Sequence, residues 1–302
     1  MRKIPALILS VFLLGLLTAC IDFGEQAAMY HYDLPTDTLR LFQEYRGIRS
    51  DKEVAGAEER EQLASVVKGQ RTFFFNNWMT DYERARVEDS LASLRDPVKR
   101  AARKLDEGGL AKLEKFLKLL LENVRVENGP FYFDSSGHLC GVQYVTVTKC
   151  SEVLAAGNDY APVFARSLAA ESNSDPAEKA AWLKYAAKPQ PMVTIEGNLV
   201  TARFPLTAAD YDRQFRAAAE DPKSAERKAG LKLSFTNNLM TLQYGGKGDN
   251  VSRLTLTVNT NKYTTNLVEL ARAQHVVRDR FNAKKAAKEF LLGGAATDIV
   301  KP

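Results

Sequence analysis

The residues able to do covalent or metal chemistry are few: three cysteines and three histidines in 302 residues. Cys140 and Cys150 stand ten positions apart, and in an oxidising compartment such a pair invites a disulfide. Gly141 to Lys149 reads as one extended strand. Ten steps of about 3.3 Å would hold the two backbones around 30 Å apart, whereas a bridge needs Cα atoms within roughly 7 Å. Two buried free thiols are expected, and a Cys140–Cys150 disulfide is the disfavoured alternative. His138 and Cys140, with Asp134 nearby, could be imagined as a thiol–imidazole nucleophile or a metal site. Such a nucleophile needs a base within hydrogen-bond reach of the sulfur and a third group to orient it. Positions 138 and 140 share a strand face, yet His138 directly follows Ser135-Ser136-Gly137, where a turn histidine is ordinary. With only His31 and His275 besides, a multi-histidine metal site is nearly excluded.

Other motifs fare no better. Gly245-Gly246-Lys247-Gly248-Asp249-Asn250 lacks the spacing of a P-loop and joins strands instead of opening a helix. Ser65-Val66-Val67-Lys68 matches S-x-x-K without the partner motifs that would give it meaning. G-x-S-x-G, H-E-x-x-H and calcium-loop patterns are missing. Paired carboxylates of a glycoside hydrolase meet only in space, so the chain does not display them. No catalytic, cofactor-binding or metal-ligating residue is assigned.

The third cysteine is different. Arg2 and Lys3 precede an apolar stretch from Ile4 to Leu17, and the segment ends Leu17-Thr18-Ala19-Cys20. The stretch fits the about 7–15 residues of a secretory h-region and is shorter than the ~20 needed to span a bilayer. Residues 1–20 resemble the lipobox leader of bacterial lipoproteins. The resemblance implies cleavage after residue 19, a diacylglycerol thioether on Cys20, and a membrane partner reached through the acyl chains. Each buried CH₂ adds about 0.8 kcal/mol, so two or three chains hold a domain firmly. In the family that the leader resembles, an aspartate directly after the cysteine favours the inner membrane, so the resemblance with Ile21 at that position implies the outer membrane over the inner one in a Gram-negative cell.

Charge narrows the partners. Without residues 1–19 the chain keeps only three more basic than acidic residues, unlike the strongly basic domains that bind nucleic acid. No other apolar run approaches membrane-spanning length.

The pattern then predicts the elements that would position any site. Met29 to Tyr32 and Leu39 to Tyr45 flank a turn at Leu34-Pro35-Thr36-Asp37, which makes a hairpin. Helices are expected from Asp51 to Lys68 and from Asp81 to Lys104, the second broken near Pro97. Phe73-Phe74-Phe75 and Trp78 between them read as core. Gly108-Gly109 is read as ending the second helix and starting the amphipathic one carrying Leu110, Leu113, Leu117, Leu120 and Leu121. Asn128-Gly129-Pro130 reads as a turn, and Leu139 to Thr148 as a strand. Helices follow at about 151–156, 160–171 and 176–187, then a connector at Pro189-Gln190-Pro191. Beyond it come hairpins around Gly197-Asn198 and Asn237-Asn238 and a helix from Thr207 toward Ala219. A strand at Leu254 to Val258 is followed by one last helix, opened by Asn266 and Glu269 and closed by Gly293-Gly294. Its basic residues Arg272, Arg278, Arg280, Lys284, Lys285 and Lys288 alternate with Glu269, Asp279 and Glu289, as on a solvated face.

The expected fold class is α+β: antiparallel β-hairpins packed with amphipathic helices. After the leader at 1–19, regions 20–188 and 192–302 form either two lobes or one continuous domain. The functional expectation is a membrane-anchored envelope lipoprotein, a non-catalytic module that binds an envelope protein or polymer. The alternatives are a lipid-tethered hydrolase acting on an envelope polymer, or a solute binder with a cleft hinged near Pro189.

Overall fold

Alternation makes the first element. Glu25–Asp33 (β2) and Thr38–Arg46 (β3) pair antiparallel in unbroken register, and the turn closes with Asp37 N donating to the Leu34 carbonyl at 3.2 Å. The structure, a computed structural model, describes residues 21–50, 56–57, 59–61, 82–103, 105–170, 175–221, 230–246, 251–257, 265–273 and 275–300. The lipobox, Ser65-Val66-Val67-Lys68, the Phe73–Trp78 aromatics and Lys247–Asn250 lie outside them, as does most of the expected helix over 51–68.

Before the hairpin, Ile21–Asp22 (β1) pairs with Arg49–Ser50 (β4). Val124–Phe133 (β5) and Leu139–Val147 (β6) form a second long hairpin, and β6 lies against β3. Ser252–Thr257 (β11) closes the other edge by pairing with β2. The result is a five-stranded antiparallel sheet ordered β11-β2-β3-β6-β5. A second sheet combines Val193–Glu196 (β7), Leu199–Pro205 (β8), Lys232–Thr236 (β9) and Leu239–Tyr244 (β10) in the order β7-β8-β10-β9. Asn237 and Asn238 both adopt positive φ, 56° and 62°, as the two-residue turn between β9 and β10 demands. Thr265–Asn266 (β12) adds to β4.

Nine helices are described. Arg84–Ser93 (α1) and Pro97–Ala102 (α2) are separated at Asp96, whose side chain accepts from Val98 N and Lys99 N. Glu107–Asn123 (α3) starts at Asp106, which accepts from Gly109 N at 2.6 Å. Gly108 and Gly109 thus lie in the first turn of the helix they are read to start, while the preceding helix ends earlier, at Ala102. Cys150–Ala169 (α4) is one helix where a gap at 157–159 was expected. Pro176–Ala187 (α5) is capped by Asp175. Ala208–Gln214 (α6), capped by Thr207, and Arg216–Glu220 (α7) replace one longer helix.

The expected last helix is also two: Val268–Ala273 (α8) and Ala283–Leu291 (α9), the latter capped by Asn282. Between them Val276–Arg278 runs beside β5, with Phe131 N donating to the Val276 carbonyl and Arg278 N to the Phe131 carbonyl. Sheet hydrogen bonds at an edge outcompete the helix there. Asn128-Gly129-Pro130 is likewise no turn but a bulge inside β5, an edge strand that tolerates proline.

The period-2 alternation of the large sheet gives it two buried faces. On one, Tyr30, Leu41, Val145 and Val126 form a single cross-strand rung beneath α3 and α4. The next inward rung is polar: Gln43, Gln143 and Asn128. Gln143 Nε2 donates to Asn128 Oδ1 at 2.6 Å, Gln26 Nε2 to Gln43 Oε1 at 3.2 Å, and Tyr45 Oη to Gln43. Most buried amide atoms are bonded, with Gln43 Nε2 an exception, and this belt separates the α3/α4 core from a second cluster of Phe23, Tyr45, Ile48, Phe131, Leu139 and Leu267. The opposite face carries Phe42, Cys140, Val142 and Tyr144, covered by Ala283, Ala286, Ala287, Phe290 and Leu291 of α9. The fold is α+β with antiparallel sheets. Region 192–302 supplies β11 and α9 to the sheet built mainly from region 20–188.

Candidate functional site

A cavity of about 170 Å³ opens above the Tyr30 rung. Its floor is the large sheet (Tyr30, Leu41, Val145), its sides are Phe116 and Leu120 of α3 and the inner stripe of α4, and its far wall is Val193, Ile195, Val200, Ala202 and Tyr244 of the small sheet. α4 presents Cys150, Val153, Leu154, Gly157, Asn158, Ala161 and Phe164. That spacing of three and four is the inward stripe of a helix.

Three sets of hydrogen bonds fix this geometry. Tyr30 Oη donates to the carbonyls of Asn198 at 2.7 Å and Tyr244 at 3.2 Å, and Tyr32 N donates to Asn198 Oδ1 at 2.8 Å. These join the β7–β8 turn to β2, so the small sheet hangs from the large one. Asn158 Nδ2 donates to the Val193 carbonyl at 2.9 Å and its Oδ1 accepts from Val193 N at 3.1 Å. One side-chain amide thereby acts as an extra strand on the edge of β7. At the hairpin tip, Asp37 accepts from Ser151 N at 2.9 Å, Ser151 Oγ at 2.6 Å and Tyr32 Oη at 2.7 Å, and its carbonyl accepts from Cys150 N at 3.0 Å. Partial burial raises the Asp37 carboxyl, but the bonds from Ser151 and Tyr32 outweigh it and hold it below the usual carboxylate range.

The walls offer almost no acid–base chemistry. Burial pushes the Cys150 thiol up to about 12, with the Asp37 charge adding to it. Tyr30, Tyr82 and Tyr160 are each raised to about 12 by burial, and Tyr244 is raised well above its usual value by the same cause. All these groups are neutral near pH 7, whereas a general base works best with a pKa close to the operating pH.

Cys140 and Cys150 are both free and buried. Cys140 faces α9, while Cys150 lines the cavity on the other side of the large sheet. The Cys140 thiol donates to the His138 carbonyl at 3.5 Å, not to its ring. The exposed His138 ring instead approaches Asp134 Oδ2 at 3.3 Å, which ties the β5–β6 turn. Burial raises Cys140 to about 11. Among the described residues, no group of three or more His, Cys, Asp or Glu stands where it could hold a metal ion.

These thiols make a prediction. At pH 8 the folded protein should react with iodoacetamide more slowly than the unfolded chain, about a hundredfold at Cys140 and about a thousandfold at Cys150, because thiolate is the nucleophile. The unfolded chain releases those protons near pH 9 and the folded chain near 11 and 12. Stability should therefore fall as pH rises through that window. Peptide mass spectrometry after timed alkylation reads the first effect; fast labelling of either thiol in the native protein would contradict it.

Gly157-Asn158 was a weak spot in the sequence pattern and read as a gap between helices. The interruption marks the wall of the cavity and the side chain that holds β7. Tyr30, Asn198 and Tyr244 carry no motif and could be assembled only in three dimensions. No family model matches the chain, and no curated protein or solved structure matches it significantly either.

Proposed function

We propose that this protein is an acylated envelope lipoprotein whose soluble part is a non-catalytic binding module, with the cavity between the two sheets as its ligand site. The observation that carries the reading is the cavity itself: about 170 Å³ of space with an apolar wall whose phenols and thiol are held neutral. Concave, mostly apolar sites with few polar groups are what small ligands select. Nothing on that wall activates water or a nucleophile, which favours a binder over the tethered hydrolase. The leader and Cys20 supply the membrane, and among the described residues no helix is long and apolar enough to cross one.

Toluene should raise the melting temperature of the mature chain from Cys20, made without its lipid. Ala161→Leu and Ala202→Leu, which place a side chain in the space from opposite walls, should fold and lose that response. An equal response in all three proteins would overturn the assignment of the site. For the anchor, an alkyne fatty acid fed to cells should label the wild type and spare Cys20→Ser; equal labelling would overturn acylation at this residue.

A further inference from the structure

We infer that the cavity takes an apolar ligand segment about six carbons deep, the end of an alkyl chain or a single ring, and admits it through the seam between α4 and β7. The inference rests on the reading of the cavity as a binding site and adds the size, chemistry and route of its ligand.

Size comes from volume. An engineered apolar cavity of about 150 Å³ in another protein stays dry and binds benzene, so 170 Å³ holds about six carbons and not a whole lipid tail. Chemistry comes from the lining, which is mostly hydrocarbon. The Tyr30 hydroxyl already serves two carbonyls, and both ends of the Asn158 amide are used by Val193. A trapped water needs two to four polar partners, and a charged headgroup needs more, so a polar head stays outside.

The route follows from exposure. Among the lining residues, Leu39 at the start of β3, Val147 at the end of β6, Leu154 and Asn158 of α4, and Val193 and Ile195 of β7 are half-buried. The lining residues of the large sheet and α3, such as Tyr30, Val145 and Leu120, are fully buried. β7 is an edge strand of the small sheet, and the Asn158 amide clasps it to α4. Opening that clasp parts the seam without breaking a strand ladder.

The test is a series of 1-alkanols from butanol to nonanol, titrated calorimetrically into the mature chain, with toluene as the ring arm. Affinity should rise about fourfold per methylene while the chain fills the cavity and flatten beyond about six carbons. Toluene should compete with 1-hexanol for one site. A steady fourfold rise through nonanol would overturn the size. Failure of every alkanol and of toluene to bind would instead remove the binding-site reading beneath it. For the route, Asn158→Ala should raise the association and dissociation rates of 1-hexanol together, at least several-fold, each by more than any change in Kd. Leu154→Trp, which narrows the seam and leaves the clasp intact, should slow both. Rates unmoved by either variant would overturn the proposed entrance.

Discussion

Valine in place of Gly245 should destabilise the protein by about 3 kcal/mol or more and abolish toluene binding with it. Gly245 follows β10 at φ +85°, where an L-residue costs about 1–2 kcal/mol. A Cβ at this position would fall on Tyr30 Oη and on the Asn198 carbonyl oxygen, with Ser252 Oγ 2.9 Å away. The carbonyl is backbone and cannot rotate aside, so Tyr30 must leave the two bonds that hang the small sheet from β2. Stranding those buried groups adds about 1–3 kcal/mol. For a chain of this size each kcal/mol lowers Tm by about 2–4 °C, so the melt should fall by roughly 6–12 °C. Tyr30→Phe removes the bonds without the backbone strain and should cost less. A Gly245→Val protein melting within 2 °C of wild type would show that the joint between the sheets is not where the geometry puts it.

The second large effect is expected at Gly129. A Cβ there would collide with Val142 Cγ2 and lie 2.9 Å from Tyr144 Cε2. Both side chains are almost fully buried, and Tyr144 in turn packs edge-on against Phe42 and Phe290 at 5.3 and 5.0 Å. Overpacking of this kind costs about 1–3 kcal/mol, occasionally more. Gly129→Val should reach at least the top of that range and loosen α9, which the Tyr144–Phe290 contact helps to dock. Thermal melts measure the loss, and near-ultraviolet circular dichroism reads the aromatic cluster. Wild-type values in both would contradict a tight bulge.

These two glycines also mark where sequence reasoning stopped. Asn128-Gly129-Pro130 has turn composition, and only the neighbours Val142 and Tyr144 explain why the glycine serves a close approach inside a strand instead. Gly245 reads as part of a segment that merely joins strands, although its role is set by Tyr30, more than two hundred residues earlier. Local signals carried well where one stretch decides its own conformation. The Leu34–Asp37 turn, the Asn237-Asn238 turn, the break near Pro97 and the Leu110–Leu121 stripe all formed as read.

They failed where a distant partner offers something better. Val276–Arg278 left its helical periodicity for hydrogen bonds with Phe131. The amide rung of Gln43, Gln143 and Asn128 is three polar residues scattered over the chain until the strand register aligns them. The cavity is the extreme case, since it draws on both sheets, two helices and Tyr82. Each lining residue alone is an ordinary core residue.

The central claim is that this space is a ligand site and not a packing defect or a closed core. Methyl-labelled NMR of the mature chain under saturating toluene tests it most directly. The account predicts shifts and intermolecular contacts at Leu41, Leu120, Val145, Val153 and Val200, with Leu267 and Leu291 of the other two clusters unmoved. Shifts confined to exposed methyls such as Leu34, Val98 and Leu292, or none at all, would contradict it.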